Sequence, residues 1–202
     1  NLCPPRDFLE FQTIIRPSGA IIELGYTVKK KFADEDRVTY LKEIYRANKV
    51  RFCDKLEHTS TYSVNLAPRG EQRVPNDLKE LLQALICTLT CLKIKDVRWP
   101  NIIHYYEEYQ RFILINFDYT DFSFSDKPLE EFSESNHAPE MLNKKYDFKV
   151  NIWGVRNLIG SCNVTGIPSK LSSFSTDLCK SNPNKQPTAS VALDRVKDMF
   201  RE

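Results

Sequence analysis

The feature that most constrains the fold is one apolar stretch near the middle of the chain, residues 75–95. Its large aliphatic side chains recur every three or four positions, which is the spacing of a helix. They are Leu78, Leu81, Leu82, Leu85, Ile86, Leu89 and Leu92, and Ala84, Cys87 and Cys91 widen the apolar surface. Asn76 has a side chain suited to capping the first turn. We therefore predict a helix over residues 76–95 that other elements cover on more than one face.

The segments around this helix predict both strands and helices. Apolar alternation or short apolar runs indicate strands at residues 21–32, 50–53, 59–66, 111–124 and 146–153, with 54–58 as a possible hairpin loop. Helical spacing indicates helices at residues 34–48, 101–109 and 190–202. The predicted fold class is α+β: a mainly antiparallel sheet packed on the central buried helix, with a C-terminal strap and a short amphipathic helix.

Three parts of the chain differ in composition. Residues 1–160 have the pattern of a globular α+β domain, whereas residues 161–189 are rich in Ser, Pro, Asn, Lys and Thr, which is typical of an extended strap or linker. Residues 190–202 regain helical spacing, and we expect this helix to dock on the domain or on a partner protein. The predicted partner-binding residues are Leu193, Val196, Met199 and Phe200.

The lengths of the apolar runs and the number of cysteines indicate the cellular environment of the protein. No apolar run approaches the ~20 residues that a membrane span needs. The six cysteines are too few for a stapled secreted scaffold, and Cys87 and Cys91 lie where cysteine acts as a small buried hydrophobe. The triplet from Asn163 to Thr165 is a glycosylation sequon, which would instead be used in a secreted protein, but such triplets are common by chance. We expect an intracellular protein, nuclear or cytoplasmic.

Several enzyme classes lack their sequence motifs here. Neither GxGxxG nor GxxxxGK[ST] occurs, which argues against dinucleotide redox chemistry and nucleotide hydrolysis, and GxSxG, HExxH and CxxC are also missing. We therefore predict no cofactor, no metal and no catalytic residue. The leading hypothesis is a non-catalytic scaffold or adaptor domain that binds another protein in an intracellular complex.

A second hypothesis is nucleic-acid binding by a basic surface. Residues 29–55 contain nine Lys/Arg and five Asp/Glu, with aromatic residues between them. Clustered cations attract phosphates, and aromatic rings can stack on bases. The predicted contact residues are Lys29, Lys30, Lys31, Arg37, Lys42, Arg46, Lys49 and Arg51.

A third hypothesis is a metal-dependent, nuclease-like enzyme. Residues 107–140 contain nine Asp/Glu and two Lys/Arg, and four of the acids lie on or near the predicted strand at 111–124: Glu107, Glu108, Asp118 and Asp121. Carboxylates near a strand can hold Mg²⁺ for phosphodiester chemistry. Asp118 and Asp121 would fall on opposite faces of a regular strand, so this hypothesis requires a bulge.

Overall fold

The computed structural model describes residues 11–16, 19–47, 52–91, 97–105, 111–116, 138–139, 141 and 149–202. The strands are β1 (Gln12–Ile15), β2 (Ile21–Leu24), β3 (Val28–Lys31), β4 (Lys55–Thr59), β5 (Ser63–Ala67), β6 (Ile102–Tyr105) and β7 (Arg111–Leu114). The helices are α1 (Glu35–Ala47), α2 (Leu78–Thr90), α3 (Lys149–Gly160), α4 (Ser169–Leu178) and α5 (Ala189–Arg201). Short 3-10 turns lie at Trp99–Asn101 and Pro183–Lys185. The α+β prediction is confirmed.

Among the residues that the structure describes, the strands form two antiparallel sheets. Five strands pair in the order β1-β2-β3-β5-β4, and β6 and β7 form a separate hairpin. The register of the larger sheet places Ile14, Ile22, Lys30 and Val64 in one row across one face. Partners that are directly opposite in a ladder point to the same face, so a lysine lies in a row of aliphatic side chains.

Helix α1 covers that same face of the larger sheet. Its side chains Val38 and Leu41 are buried against Val64 and Leu66 of β5. The helix begins with Glu35 and Asp36, whose charges suit the positive end of the helix dipole. This helix was predicted at residues 34–48, and the prediction is confirmed. The packing of α1 on the sheet accounts for the apolar residues of this helix that lie between the basic residues of segment 29–55.

Helix α2 is the centre of the main core. It packs against α5, β7 and α3, so it is covered on more than one face, as predicted. Its buried residues are Leu81, Leu82, Ala84, Leu85, Cys87, Thr88 and Leu89. The cap is Asp77 rather than Asn76, because the Asp77 side chain accepts a 2.8 Å hydrogen bond from the backbone N–H of Glu80.

Some predicted strands have different bounds. The strand at 21–32 is a hairpin of β2 and β3, because the chain turns at Gly25, whose N–H bonds to the Thr27 carbonyl at 3.0 Å. Residues 55–59 form a strand rather than a loop, and the turn to β5 lies at residues 60–62. Of the predicted strand at 50–53, the described part has only an isolated bridge, from Cys53 to Leu114.

Two predicted element types were wrong. The helix predicted at 101–109 begins instead as β6, since Ile102 and Ile103 are β-branched and favour strand geometry. The strand predicted at 146–153 is helical from Lys149, as part of α3. Most sides of α3 are buried, so its polar residues do not mark out one exposed face. The alternation of apolar and polar residues in this short segment is therefore a coincidence and does not indicate a strand. Residues 106–109 and 146–148 lie outside the described residues.

The predicted strap of residues 161–189 is not extended over its middle part, where Ser169–Leu178 form α4. The buried side chains of α4 are Leu171, Phe174 and Leu178, at helical spacing. Serines and threonines between them lower the average hydrophobicity and hide this pattern in the composition. The final helix, predicted at 190–202, is confirmed as α5.

Candidate functional sites: an open sheet edge and a buried lysine

The predicted partner-binding helix packs on the domain itself. Val196 is fully buried, and Leu193 and Met199 pack against the main core, whereas Phe200 is 39% exposed. Arg195 reinforces this docking, because its guanidinium bonds to the Asp177 carboxylate of α4 at 2.8 Å and lies over the Phe174 ring. Lys180 and Arg195 together lower the pKa of Asp177.

The predicted basic surface is divided between different environments. Lys29 and Lys31 point to one face of β3, and Lys30 points to the opposite face and is buried. Lys31 pairs with Glu23 and lowers the pKa of that carboxyl. Of the remaining residues, Arg37 lies over the Tyr40 ring on α1, Lys42 is half-buried and Arg46 is exposed. Lys49 and Arg51 lie outside the described residues.

Lys30 is the most unusual residue of this set. Only 7% of it is exposed, although lysine is rarely buried unless it is paired. Its ammonium donates a 3.1 Å hydrogen bond to the side-chain oxygen of Asn116, and the Asn116 amide in turn donates to Asn101 at 3.1 Å. Asn116 adopts a left-handed φ of 72°, which asparagine tolerates better than most residues. The chain of bonds joins the larger sheet to the β6–β7 hairpin.

The sequence contained a partial signal for this site. Val28, Lys30 and Phe32 alternate onto one face of β3, so a lysine on an apolar face was visible from the spacing alone. Its partner Asn116, and Asn101 to which Asn116 bonds, were not visible, because both follow in distant parts of the chain. Only the tertiary fold brings Asn116 to the ammonium.

A second polar cluster lies beside α2. Arg73 donates two 2.8 Å hydrogen bonds to the Glu80 carboxylate, and these bonds lower the pKa of Glu80 to about 2. The same carboxylate accepts from the backbone N–H of Asn76 at 2.9 Å. Burial, followed by the Arg73 charge, lowers the pKa of the nearby His104. These bonds tie the segment that precedes α2 to the first turn of the helix.

The cysteines and acids give no metal site among the residues that the structure describes. Cys87 and Cys91 are buried in the core, with Cys53 beside them, and no group of three or more ligand-type residues is arranged to hold an ion there. Glu107, Asp118 and Asp121 lie outside the described residues, so the nuclease-like hypothesis stays a prediction.

The open edge of the larger sheet is the clearest candidate for contact with another molecule. Within the described part of the chain, no strand pairs with the outer side of β1. Phe11, just before β1, and Ile15, its last residue, are 70% and 74% exposed. The ring of Tyr26 contacts that of Phe11 edge-on, with 5.8 Å between the ring centroids. Sequence reasoning missed this strand, since residues 11–16 are short and flanked by Pro17.

No protein-family model matches the chain, and the search of curated proteins found no significant match either. Over the residues that the structure describes, none of the helices combines the length and apolarity required to cross a lipid bilayer.

Proposed function

We propose that this domain is a non-catalytic protein-interaction module that binds an extended segment of a partner protein along β1. The observation that carries the proposal is the exposed apolar edge of the larger sheet. Backbone N–H and C=O groups at a sheet edge can pair with an added strand, and alternate side chains then provide specificity. Thr13 and Ile15 share one face of β1, so they would supply that specificity together with Phe11, which precedes the strand by one residue.

The two edges of the sheet differ in a way that supports this proposal. Natural sheets protect their edges with charges and bulges. The opposite edge, β4, has Lys55, Glu57 and His58, and its pairing register shifts between Leu56 and His58. In contrast, β1 has no charged residue between Gln12 and Ile15 and pairs in regular register. One edge is therefore protected against strand addition, and the other is suited to it.

The test compares two lysine substitutions at the two edges. Purified wild-type domain, Ile15→Lys and the control Thr59→Lys, which alters the protected edge, are used as baits with the same cell extract. We expect the wild type and the control to retain the same partner proteins. Ile15→Lys should retain at least tenfold less of them. Both side chains are exposed, so the free energy of unfolding of both variants should lie within ~0.5 kcal/mol of the wild-type value. Retention that is equal for all three baits would reject the β1 edge.

A second candidate function is supported by Lys30. A buried ammonium beside two amide side chains is suited to an anionic group, and lysine is a common ligand of phosphate. We therefore propose, as the alternative, binding of a small phosphate-bearing molecule at the junction of the larger sheet and the hairpin.

This alternative is tested by thermal unfolding with phosphate, pyrophosphate and nucleotides at millimolar concentration. A ligand that binds the folded state raises the melting temperature in proportion to its occupancy. We expect a rise for the wild type and for Lys29→Met, whose side chain points to the other face, and none for Lys30→Met. A rise that persists in Lys30→Met places the ligand elsewhere.

Nucleic-acid binding by the basic residues stays a prediction. Of these residues, Lys29 and Lys31 lie on one face of β3 and Lys30 lies on the other.

A further inference from the structure

The backbone of β1 directs a regular set of hydrogen-bonding groups at its open edge. The Arg16 N–H donates to the Ala20 carbonyl at 2.9 Å, and the register of β1 with β2 continues to this pair. Bonded pairs alternate along an antiparallel ladder. Ile14 therefore also directs its backbone groups at β2, whereas Thr13 and Ile15 direct theirs outward. These outward groups are the ones that an added strand can bond.

The side chains along this edge are symmetric about Thr13. Phe11 continues the strand register by one residue, since a Cβ built at Gly25 would lie 3.5 Å from the Phe11 ring. Phe11, Thr13 and Ile15 thus alternate onto the face of the sheet that α1 does not cover. In an antiparallel pair of two β1 strands centred on Thr13, Phe11 is directly opposite Ile15 of the second copy. Aromatic and β-branched residues in facing positions stabilise strand pairs.

The charges that flank this stretch are complementary in the same register. In sequence order, Glu10 precedes Phe11 and Arg16 follows Ile15. Two antiparallel copies centred on Thr13 bring Glu10 of each chain opposite Arg16 of the other, and opposite charges in facing positions favour pairing. The strand β1 itself has no charged residue, so no like charges meet between the two ends.

We propose that two copies of this chain pair through β1 and thereby mask the edge that binds a partner protein. This inference rests on the proposed function, because both use the same open edge. The pairing joins two five-stranded sheets into one continuous sheet. It covers far fewer residues than the roughly 20–30 per side of a stable interface, so the dimer is weak and reversible. A partner segment binds the single chain, and a high local concentration of the chain opposes that binding.

The test introduces one cysteine at the two-fold axis of the dimer. Thr13→Cys places the two introduced thiols on facing residues whose Cα atoms are about 5.5 Å apart, a separation that a disulfide spans. Thr59→Cys, at an exposed threonine that ends β4, is the matched control. The full chains are treated with oxidised glutathione, and linked peptides are mapped by mass spectrometry. We expect at least tenfold more peptide linked through the introduced cysteines for Thr13→Cys than for Thr59→Cys.

Charge exchange in the Thr13→Cys background tests the register. Arg16→Glu places two acids opposite each other at both ends, so we expect it to lower the linked fraction by about threefold or more. Adding Glu10→Arg restores opposite charges and should restore the linking. A linked fraction that responds to neither change would show that the chains are linked by random collision, which overturns the proposal.

Retention of partner proteins separates this inference from the proposed function. The linked Thr13→Cys dimer should retain at least tenfold less of the partner proteins than the same chain after reduction. If linking does not exceed the Thr59→Cys level, self-pairing is rejected, whereas loss of partner proteins with Ile15→Lys still supports the β1 edge as their binding site. A linked dimer that retains as much as the reduced chain would show that self-pairing does not mask the edge, which also overturns the inference.

Discussion

Lys30 and Asn116 are separated by 86 positions in the sequence, yet the Lys30 ammonium donates a 3.1 Å hydrogen bond to the Asn116 side-chain oxygen. The bond joins a buried charge in the larger sheet to the residue that follows the β6–β7 hairpin. Removing one side of such a pair costs more than removing both, because a buried charge loses its partner. This asymmetry gives the first prediction.

Asn116→Gly should lower the free energy of unfolding by roughly 1–3 kcal/mol, since it removes an amide partner of the ammonium. Glycine accepts the left-handed backbone at this position, so the change adds no strain. Lys30→Met should be neutral or stabilising, by up to about 2 kcal/mol, because it removes the buried charge itself. Urea unfolding of the two variants and of the double variant measures the coupling. Purely additive effects would show that the bond contributes nothing to stability.

The Arg73–Glu80 pair makes part of the stability depend on pH. The pKa of Glu80 is about 2 in the folded protein, below the ordinary value of 4.5, so the charged carboxylate favours the folded state. This contribution is complete above about pH 5 and is lost as the pH falls through 4.5 toward 2. Allowing for solvent screening, we expect the free energy of unfolding of the wild type to exceed that of Glu80→Gln by about 1–2 kcal/mol at pH 7.

Urea unfolding at pH 7, 4 and 3 tests this directly, and the difference between wild type and Glu80→Gln should shrink at each step. Glu43→Gln, at an exposed position on α1, is the matched control and should stay within ~0.5 kcal/mol of wild type throughout. A difference for Glu80→Gln that is constant across the three pH values would show that the effect does not come from the carboxylate charge.

Periodic apolar patterns predicted α1, α2 and α5, because each of these helices buries one or more faces whose spacing is visible in the sequence. The same reasoning failed for α3 and β6, where short apolar runs fit both a strand and a helix. The candidate sites were harder still. Lys30 could be placed on an apolar face from its neighbours, but its contact with Asn116 depends on long-range packing. The exposed edge at β1 depends on strand order, which no local pattern encodes.

Two glycines of α3 should respond oppositely to alanine. A Cβ added at Gly154 would lie 2.8 Å from Val97 Cβ and 2.9 Å from the Val97 carbonyl oxygen, so the backbone at Val97 would have to move. We expect Gly154→Ala to cost about 1–3 kcal/mol. At Gly160 the nearest atom is 3.9 Å away, so Gly160→Ala should be neutral or gain up to about 1 kcal/mol. Equal effects in thermal unfolding would mean that α3 does not approach Val97 this closely.

Two valines of α5 test whether this helix stays packed on the domain or leaves it to bind a partner protein. Val196 is fully buried and Val191 is 50% exposed on the same helix, so identical truncations should differ. We expect Val196→Ala to lower the free energy of unfolding by about 1–3 kcal/mol, and Val191→Ala to change it by less than ~0.5 kcal/mol. If instead Val196→Ala left stability unchanged but weakened retention of partner proteins, then α5 would leave the domain to bind them. The ion pair of Arg195 with Asp177 would then exist only in the unbound protein, so Arg195→Ala would strengthen partner binding.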